Sequence, residues 1–474
     1  MPTLFQPDLL LAGGQAYAEA GLLVGDDGRV LGVVEAKDAG GTAAAGTAAG
    51  GTAAARVVRM RGKALMPGLA NAHSHTFQRL FRGRAEGRAI GGDTFWTWRE
   101  QMYRAAAFCA PEDLYDVARA TFLEMLASGI TVVGEFHYLH NDAEGRAYAD
   151  ANTLATEVIR AAQSVGVRIC LLRSAYMRAG YKRELHAGQR RFYEGADAYL
   201  RNLDDLSRTT RGMEQVTVGA APHSTRAVPM EAFAEIAEYA AGKGLPLHTH
   251  LSEQTAENEA CVAEYGQTPA EVLAGRGLLT PQTTLVHAIH MTAAEFEHVA
   301  RMGTAICSCP TTERNLGDGI FPADVAARLG IAVAFGTDSQ AQVDILEDAR
   351  QQEYHLRLER RERGILDGIG GEDMAARLWR SATAEGYGVL GLKGGSLDVG
   401  QPADFFTFDV NDLGVLGVDR ASLASQAVFA LGRAAVRDVA VQGRVVIEEG
   451  RHAQDEAIRS RFRAVEGRFA AQEA

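Results

Sequence analysis

Four short strings in the 474-residue chain bring imidazoles and carboxylates to spacings that can do chemistry. They are Asn71-Ala72-His73-Ser74-His75, His248-Thr249-His250-Leu251-Ser252-Glu253, Val286-His287 and Gly336-Thr337-Asp338-Ser339. In an extended segment residues i and i+2 point the same way, so His73 and His75 can reach one ion together. Three imidazoles and one carboxylate suit Zn²⁺ or another borderline divalent metal, with a position left for water. A carboxylate just past such a strand end, as Glu253 stands in the second string, can move protons to and from a metal-bound water.

Each string closes a short apolar run. Between about Leu65 and Gly336 such runs, rich in β-branched residues, alternate with longer helical patterns, which is the texture of repeated β-α units around a parallel sheet. The runs are Leu65–Asn71, Thr131–Phe136, Val167–Ser174, Val216–Ala221, Leu245–Thr249, Thr283–Val286, Thr304–Ser308 and Ile331–Gly336. Eight of them predict an α/β fold, a (β/α)8 TIM-like barrel over residues 65–389, with its chemistry at the C-terminal ends of the strands. Residues 1–64 and 390–474 instead read as short strands and turns, such as Gly21-Leu22-Leu23-Val24 and Phe405-Phe406-Thr407-Phe408, closing with a helix from about Asp455. Both ends together are expected to build one small β-sandwich domain. A Gly/Ala/Thr tract over residues 40–55 has no large side chain to bury and is expected to be a mobile loop.

Composition narrows the classes. Apolar residues make up 47% and charged residues 23%, and Lys plus Arg total 48 against 60 Asp plus Glu, a net charge of -12. General disorder is excluded, and the acidic balance argues against nucleic-acid or anionic-membrane partners. Five scattered cysteines do not make a disulfide scaffold; Cys307-Ser308-Cys309 reads as a buried pair of thiols, not a metal motif. The apolar runs are too short for a membrane span and the N-terminus lacks a basic signal region, so a cytoplasmic protein is expected.

The strings resemble the amidohydrolase superfamily, a barrel with a split β-sandwich. That resemblance covers nearly the whole chain and implies His73, His75, His250 and Asp338 as metal ligands, with His287 beside the water. Sites with two metals in that superfamily carry a lysine after strand 4; here Ala220-Ala221-Pro222-His223 stands there, so one metal per subunit is expected, with Zn²⁺ the expected ion. The spacing His250-x-x-Glu253 is that of the deaminase branch. Two longer strings, Glu135-Phe136-His137-Tyr138-Leu139-His140 and Cys309-Pro310-Thr311-Thr312-Glu313-Arg314-Asn315-Leu316-Gly317-Asp318-Gly319, resemble a narrower family in that branch. Its members, in histidine degradation, convert N-formimidoyl-L-glutamate and water to N-formyl-L-glutamate and ammonia by attack of a metal-bound hydroxide.

That resemblance implies Glu253, His287 and Asp338 as catalytic residues and Gln78, Arg99, Tyr138, His223 and Arg226 as the residues that hold a small dianionic substrate. A substrate with two carboxylates wants two cations, best met by arginines. Arg82 and Arg84 read equally well as a solvated loop face with Arg79 and Arg88. His137, His140, His248 and His290 read as structural histidines, and Glu313 and Asn315 have no assigned role. The superfamily also implies a homodimer. The competing readings are a deaminase of a nucleobase, an adenosine derivative or an aminated triazine, and a non-catalytic scaffold, from which the intact ligand set argues away.

Overall fold

The computed structural model describes residues 1–35, 55–86 and 95–472, with the backbone alone for 95–97. Residues 40–54 of the Gly/Ala/Thr tract, and Arg88, lie outside the described residues.

Eight parallel strands make the barrel: β1 (Leu69–Ser74), β2 (Ile130–His137), β3 (Arg168–Ala175), β4 (Val216–Pro222), β5 (Leu247–Leu251), β6 (Thr283–His287), β7 (Ala305–Ser308) and β8 (Val333–Phe335). They hydrogen-bond in sequence order from β1 to β8. Nearly every strand residue is buried, which is why the strands read as continuous apolar runs and not as alternating ones. Helices cover the outside. The one over Thr153–Val165 buries Leu154, Val158, Ile159, Ala162 and Val165, a stripe at helical spacing, and stops at Gly166, whose left-handed φ of 85° turns the chain into β3.

The barrel closes where β8 meets β1. The Asp338 amide donates to the His73 carbonyl and the His75 amide to the Asp338 carbonyl, both at 3.0 Å, and Ser74 and Asp338 form a parallel bridge. Gly336 permits this approach: a Cβ there would lie 2.6 Å from the His73 Cβ and 2.8 Å from its carbonyl oxygen.

Both chain ends build a second sheet of nine strands among the described residues. The long strand Arg56–Pro67 sits at its centre, parallel to Thr3–Ala12 and antiparallel to Phe405–Asp409. Leu65, Met66 and Pro67, expected at the start of the first barrel strand, belong to this sheet, and the barrel begins two residues later at Leu69. Phe5, Leu10, Leu22, Val24, Met60, Leu65 and Phe405 form its own apolar core. The terminal helix covers Asp455–Ala471. Among the described residues no helix is long and apolar enough to cross a membrane.

Candidate metal and hydrolytic centre

The four strings arrive at one place. β1 delivers His73 and His75, β5 delivers His250, and the turn after β8 delivers Asp338; all four are buried, and one ligand atom from each lies within 4.8 Å of the others. His73 Nε2 is 3.1 Å from His75 Nε2, and Asp338 Oδ1 is 3.4 Å and 3.3 Å from those two nitrogens.

The outer nitrogens explain which atoms face inward. His75 Nδ1 donates to the Phe136 carbonyl at 2.8 Å and His250 Nδ1 to the His223 carbonyl at 3.0 Å. A carbonyl only accepts, so both protons sit on Nδ1 and both Nε2 atoms present lone pairs. Acceptor nitrogens packed around a buried carboxylate suit a cation, and the N₃O donor set is one that Zn²⁺ fits. Burial agrees with neutral rings. It holds His73 down at about 3, with His75 adding to the effect, and holds His250 well below the ordinary histidine range. Asp338 stays well below the usual carboxylate range because His73 and His75 outweigh its burial.

Strained backbone sets these groups at the strand ends. Ser252 (φ 51°), His287 (φ 73°), Ala288 (φ 55°), Asp338 (φ 45°) and Gln340 (φ 61°) are left-handed without being glycine. Each such residue costs roughly 1–3 kcal/mol and persists only where its surroundings over-determine it. Here the Ala288 amide bonds the Leu251 carbonyl at 2.9 Å, and the His290 amide bonds the Ser252 carbonyl at 3.0 Å. These ties turn His287 and Glu253 toward Asp338. His287 Nε2 lies 3.7 Å from Glu253 Oε1 and 3.8 Å from Asp338 Oδ2. Burial alone would lower the His287 pKa, but Glu253, Glu313 and Asp338 raise it well above its ordinary value. Burial also lifts Glu253, against the opposing charge of His287.

Gln78, Arg99, Tyr138, His223 and Arg226 all line one inner cavity of about 50 Å³ with His75, His250, Glu253, His287 and Asp338. Gln78 Nε2 donates to the Tyr138 hydroxyl at 3.0 Å. The His223 ring stacks on His250 with centroids 4.6 Å apart. Arg99 donates to the Tyr176 hydroxyl at 3.0 Å and lies over the Tyr103 ring. An outer chamber of about 490 Å³ adjoins, and Arg99, Arg226 and Glu253 line both spaces.

Arg79, Arg82 and Arg84 are not in that lining. Arg79 and Arg82 pair with Glu124 at 3.0 Å and 2.9 Å, and Arg84 reaches Glu466 at 3.7 Å. His140, His248 and His290 each spend a ring nitrogen on a backbone carbonyl, of Ser174, Val389 and Asp318. All five cysteines are free and buried, and the Cys309 sulfur lies within 4.8 Å of donor atoms of His287 and Asp338. Asn315 is exposed and bonds Glu86.

Sequence reasoning missed the aromatic and polar frame behind the arginines. Gln189 Nε2 donates at 2.9 Å to both Tyr103 and Tyr176, so three residues far apart in sequence brace Arg99. Tyr176 follows β3 directly, and that strand-end position was its available signal. Glu135 accepts from Ser74 Oγ at 2.6 Å and from the Thr76 amide at 2.7 Å, pinning the turn that follows the His73 and His75 strand.

A barrel whose mouth gathers His73, His75, His250 and His287 around the carboxylates of Asp338 and Glu253 defines a hydrolase class, and the chain belongs to the amidohydrolase family, whose model matches residues 64–446. It is 39% identical over 397 residues to formimidoylglutamate deiminase of Pseudomonas aeruginosa, across 83% of this chain and 87% of that one. Among solved structures, an amidohydrolase from Brucella melitensis superposes with a TM-score of 0.88 at 32% identity, covering 99% of this chain and 100% of its own. An adenosine deaminase from Xanthomonas campestris with bound zinc superposes at 0.83 and 24% identity, over 99% and 98% of the two chains, and shares the fold.

Proposed function

We propose that this chain hydrolyses N-formimidoyl-L-glutamate to N-formyl-L-glutamate and ammonia, with one Zn²⁺ held by His73, His75, His250 and Asp338. The observation that carries the reading is that two guanidinium groups, Arg99 and Arg226, line the same cavity as the histidine–aspartate cage. Both arginines also line the outer chamber, so the substrate's carboxylates stop at that junction while its formimidoyl head enters the inner cavity. A dianion taken from water needs this pair of cations, and the 39% identical deiminase supports the choice of substrate.

The ion supplies Lewis-acid chemistry that makes water a nucleophile near neutral pH. Asp338 divides its work between two oxygens. Oδ1 faces His73 and His75, whereas Oδ2 faces His287 Nε2 and takes the proton of the attacking water. His287, turned to the same point, steadies the oxygen as charge develops there. Glu253, its carboxyl kept protonated more readily by burial, delivers a proton to the imino nitrogen. The C–O bond forms as the C=N bond opens to a single bond. The tetrahedral carbon then carries one oxygen and two nitrogens. The proton on Asp338 passes to Glu253 and on to the amino group; the C–N bond breaks as Asp338 takes the hydroxyl proton, ammonia leaves with the formyl carbonyl in place, and return of that proton to Glu253 resets both carboxyls. Gln78, Tyr138 and His223 wall the head and hold it against the cage.

The test compares N-formimidoyl-L-glutamate with N-formimidoyl-4-aminobutyrate, which lacks the α-carboxylate. Removing one charge-assisted contact costs about 1.5–3 kcal/mol, or roughly 10- to 150-fold in kcat/KM. The native enzyme is expected to show that preference, and Arg99→Gln or Arg226→Gln to lose most of it. Equal rates on both substrates would contradict the assignment.

A further inference from the structure

Glu313 has no part in the mechanism above, yet its placement is specific. It lies in the helix Pro310–Leu316, directly after β7, and its side chain folds back to the start of that helix. Oε1 accepts the Cys309 amide at 2.7 Å, and the Ser308 hydroxyl lies 3.4 Å and 3.3 Å from the two carboxylate oxygens. Across from these tethers stands His287 Nδ1, 3.3 Å from the same Oε1. The glutamate is 2% exposed and the histidine 1%, so water does not compete for either.

The histidines of the site are oriented in two different ways. His75 and His250 donate Nδ1–H to backbone carbonyls, neutral acceptors that suit rings whose other nitrogen is kept as a lone pair. His287 alone of these three gives Nδ1–H to a carboxylate. A charge-assisted bond of this kind is about twice as strong as a neutral one and stabilises positive charge on the ring. The Oε1 that faces the ring is an acceptor, taking the Cys309 amide, so the shared hydrogen sits on Nδ1 whether the imidazole is neutral or charged. Nε2 is therefore the nitrogen turned toward Glu253 and Asp338.

We infer that Glu313 is a positioning residue: it fixes the ring plane and the Nδ1–H form of His287, so that Nε2 faces the attacking water. This rests on the proposed role of His287 in hydrolysis. The ring needs such a tether because a half-turn about χ2 would put carbon where Nε2 now stands.

The experiment uses zinc-loaded native enzyme, Glu313→Gln and Glu313→Ala, each labelled with ¹⁵N-histidine. His287 signals are assigned by their loss in His287→Asn. Glu313→Gln keeps an acceptor oxygen for the Cys309 amide and removes the charge. Its kcat is expected to fall about 10- to 100-fold with KM within twofold and zinc content unchanged, and its Nδ1 proton signal to move upfield. In Glu313→Ala the Nδ1 signal is expected to shift toward an unprotonated nitrogen. If that variant does not fold, the Glu313→Gln spectrum decides. A native kcat in Glu313→Gln, or a His287 pattern identical to native in the folded variants, would overturn the inference. Absence of turnover by the native enzyme would instead refute the substrate proposed above, while the spectra would still decide the tether.

Discussion

Replacing Gly336 by alanine tests whether the seam between β8 and β1 positions the histidine–aspartate cage. The added Cβ would stand 2.6 Å from the His73 Cβ, 2.8 Å from the His73 carbonyl oxygen and 3.0 Å from its amide nitrogen. Ordinary carbon contacts lie at about 3.5–4.0 Å, so the two strands must part by roughly 1 Å. None of the three obstacles is the end of a flexible side chain. The shift therefore passes to His73 itself and to the two 3.0 Å backbone bonds that hold Asp338 against it. Overpacking of this kind costs about 1–3 kcal/mol, and a 1 Å displacement of reacting groups costs about 100-fold in rate. Gly336→Ala is thus expected to lose about 100-fold in kcat/KM and to bind zinc more weakly in a chelator competition. Gly242→Ala is the control. It lies in the helix Met230–Lys243, where an added Cβ meets nothing within 4 Å, and is expected to keep full activity. Native rate and zinc affinity in Gly336→Ala would refute the claim that this seam sets the geometry.

Three further outcomes follow from named contacts. Asp338→Asn is expected to lower kcat by at least about 1000-fold, because the proposed mechanism gives this one side chain both a place in the cage and the proton transfer; a rate near native in metal-loaded protein would contradict this role. Glu253→Gln is expected to lower kcat about 100- to 10,000-fold while KM changes little, and steady-state ammonia release measures the split. Glu194 gives a pH dependence. Burial alone would raise its pKa, but His140 and Arg173 hold it down at about 2, through bonds that include Arg173 Nη2 at 2.9 Å. Because the native value lies below the unfolded one, near 4.5, this stabilisation is complete above about pH 4.5 and is lost as pH falls toward 2. The shift corresponds to roughly 3 kcal/mol. Denaturant midpoints of native protein should therefore drop more between pH 5 and 3 than those of Glu194→Gln, and parallel profiles would argue against it.

The clustering of His73, His75, His250 and Asp338 was legible in the sequence because its grammar is local. His-x-His at a strand end, His-x-x-Glu past another and Thr-Asp after a glycine each declare a direction as well as a residue type. The start of the first barrel strand was less legible. Leu65 to Ser74 is nearly continuous in apolar texture, and no pattern within it says that Leu65–Pro67 pair with Phe405–Asp409 while Leu69 onward pairs with Ile130–His137. That choice is made by partners more than 60 residues away. Glu313 and Tyr176 were hidden for a related reason. Their meaning depends on left-handed turns at His287 and Ala288 and on a glutamine, Gln189, that bonds two tyrosines at once. The arginines show how charge counting misleads in a loop. Arg79, Arg82 and Arg84 are neighbours in sequence to the residues that line the cavity, yet carboxylates on Glu124 and Glu466 claim them.

The most direct test of the central claim is ammonia release from N-formimidoyl-L-glutamate, measured with zinc-loaded and chelator-stripped enzyme beside N-formimidoyl-L-aspartate, cytosine, guanine and adenosine. Rapid turnover of N-formimidoyl-L-glutamate, abolished by the chelator and restored by Zn²⁺, with little or none of the others, is the predicted result. Turnover of a nucleobase or nucleoside in its place would keep the cage and contradict the roles given to Arg99 and Arg226.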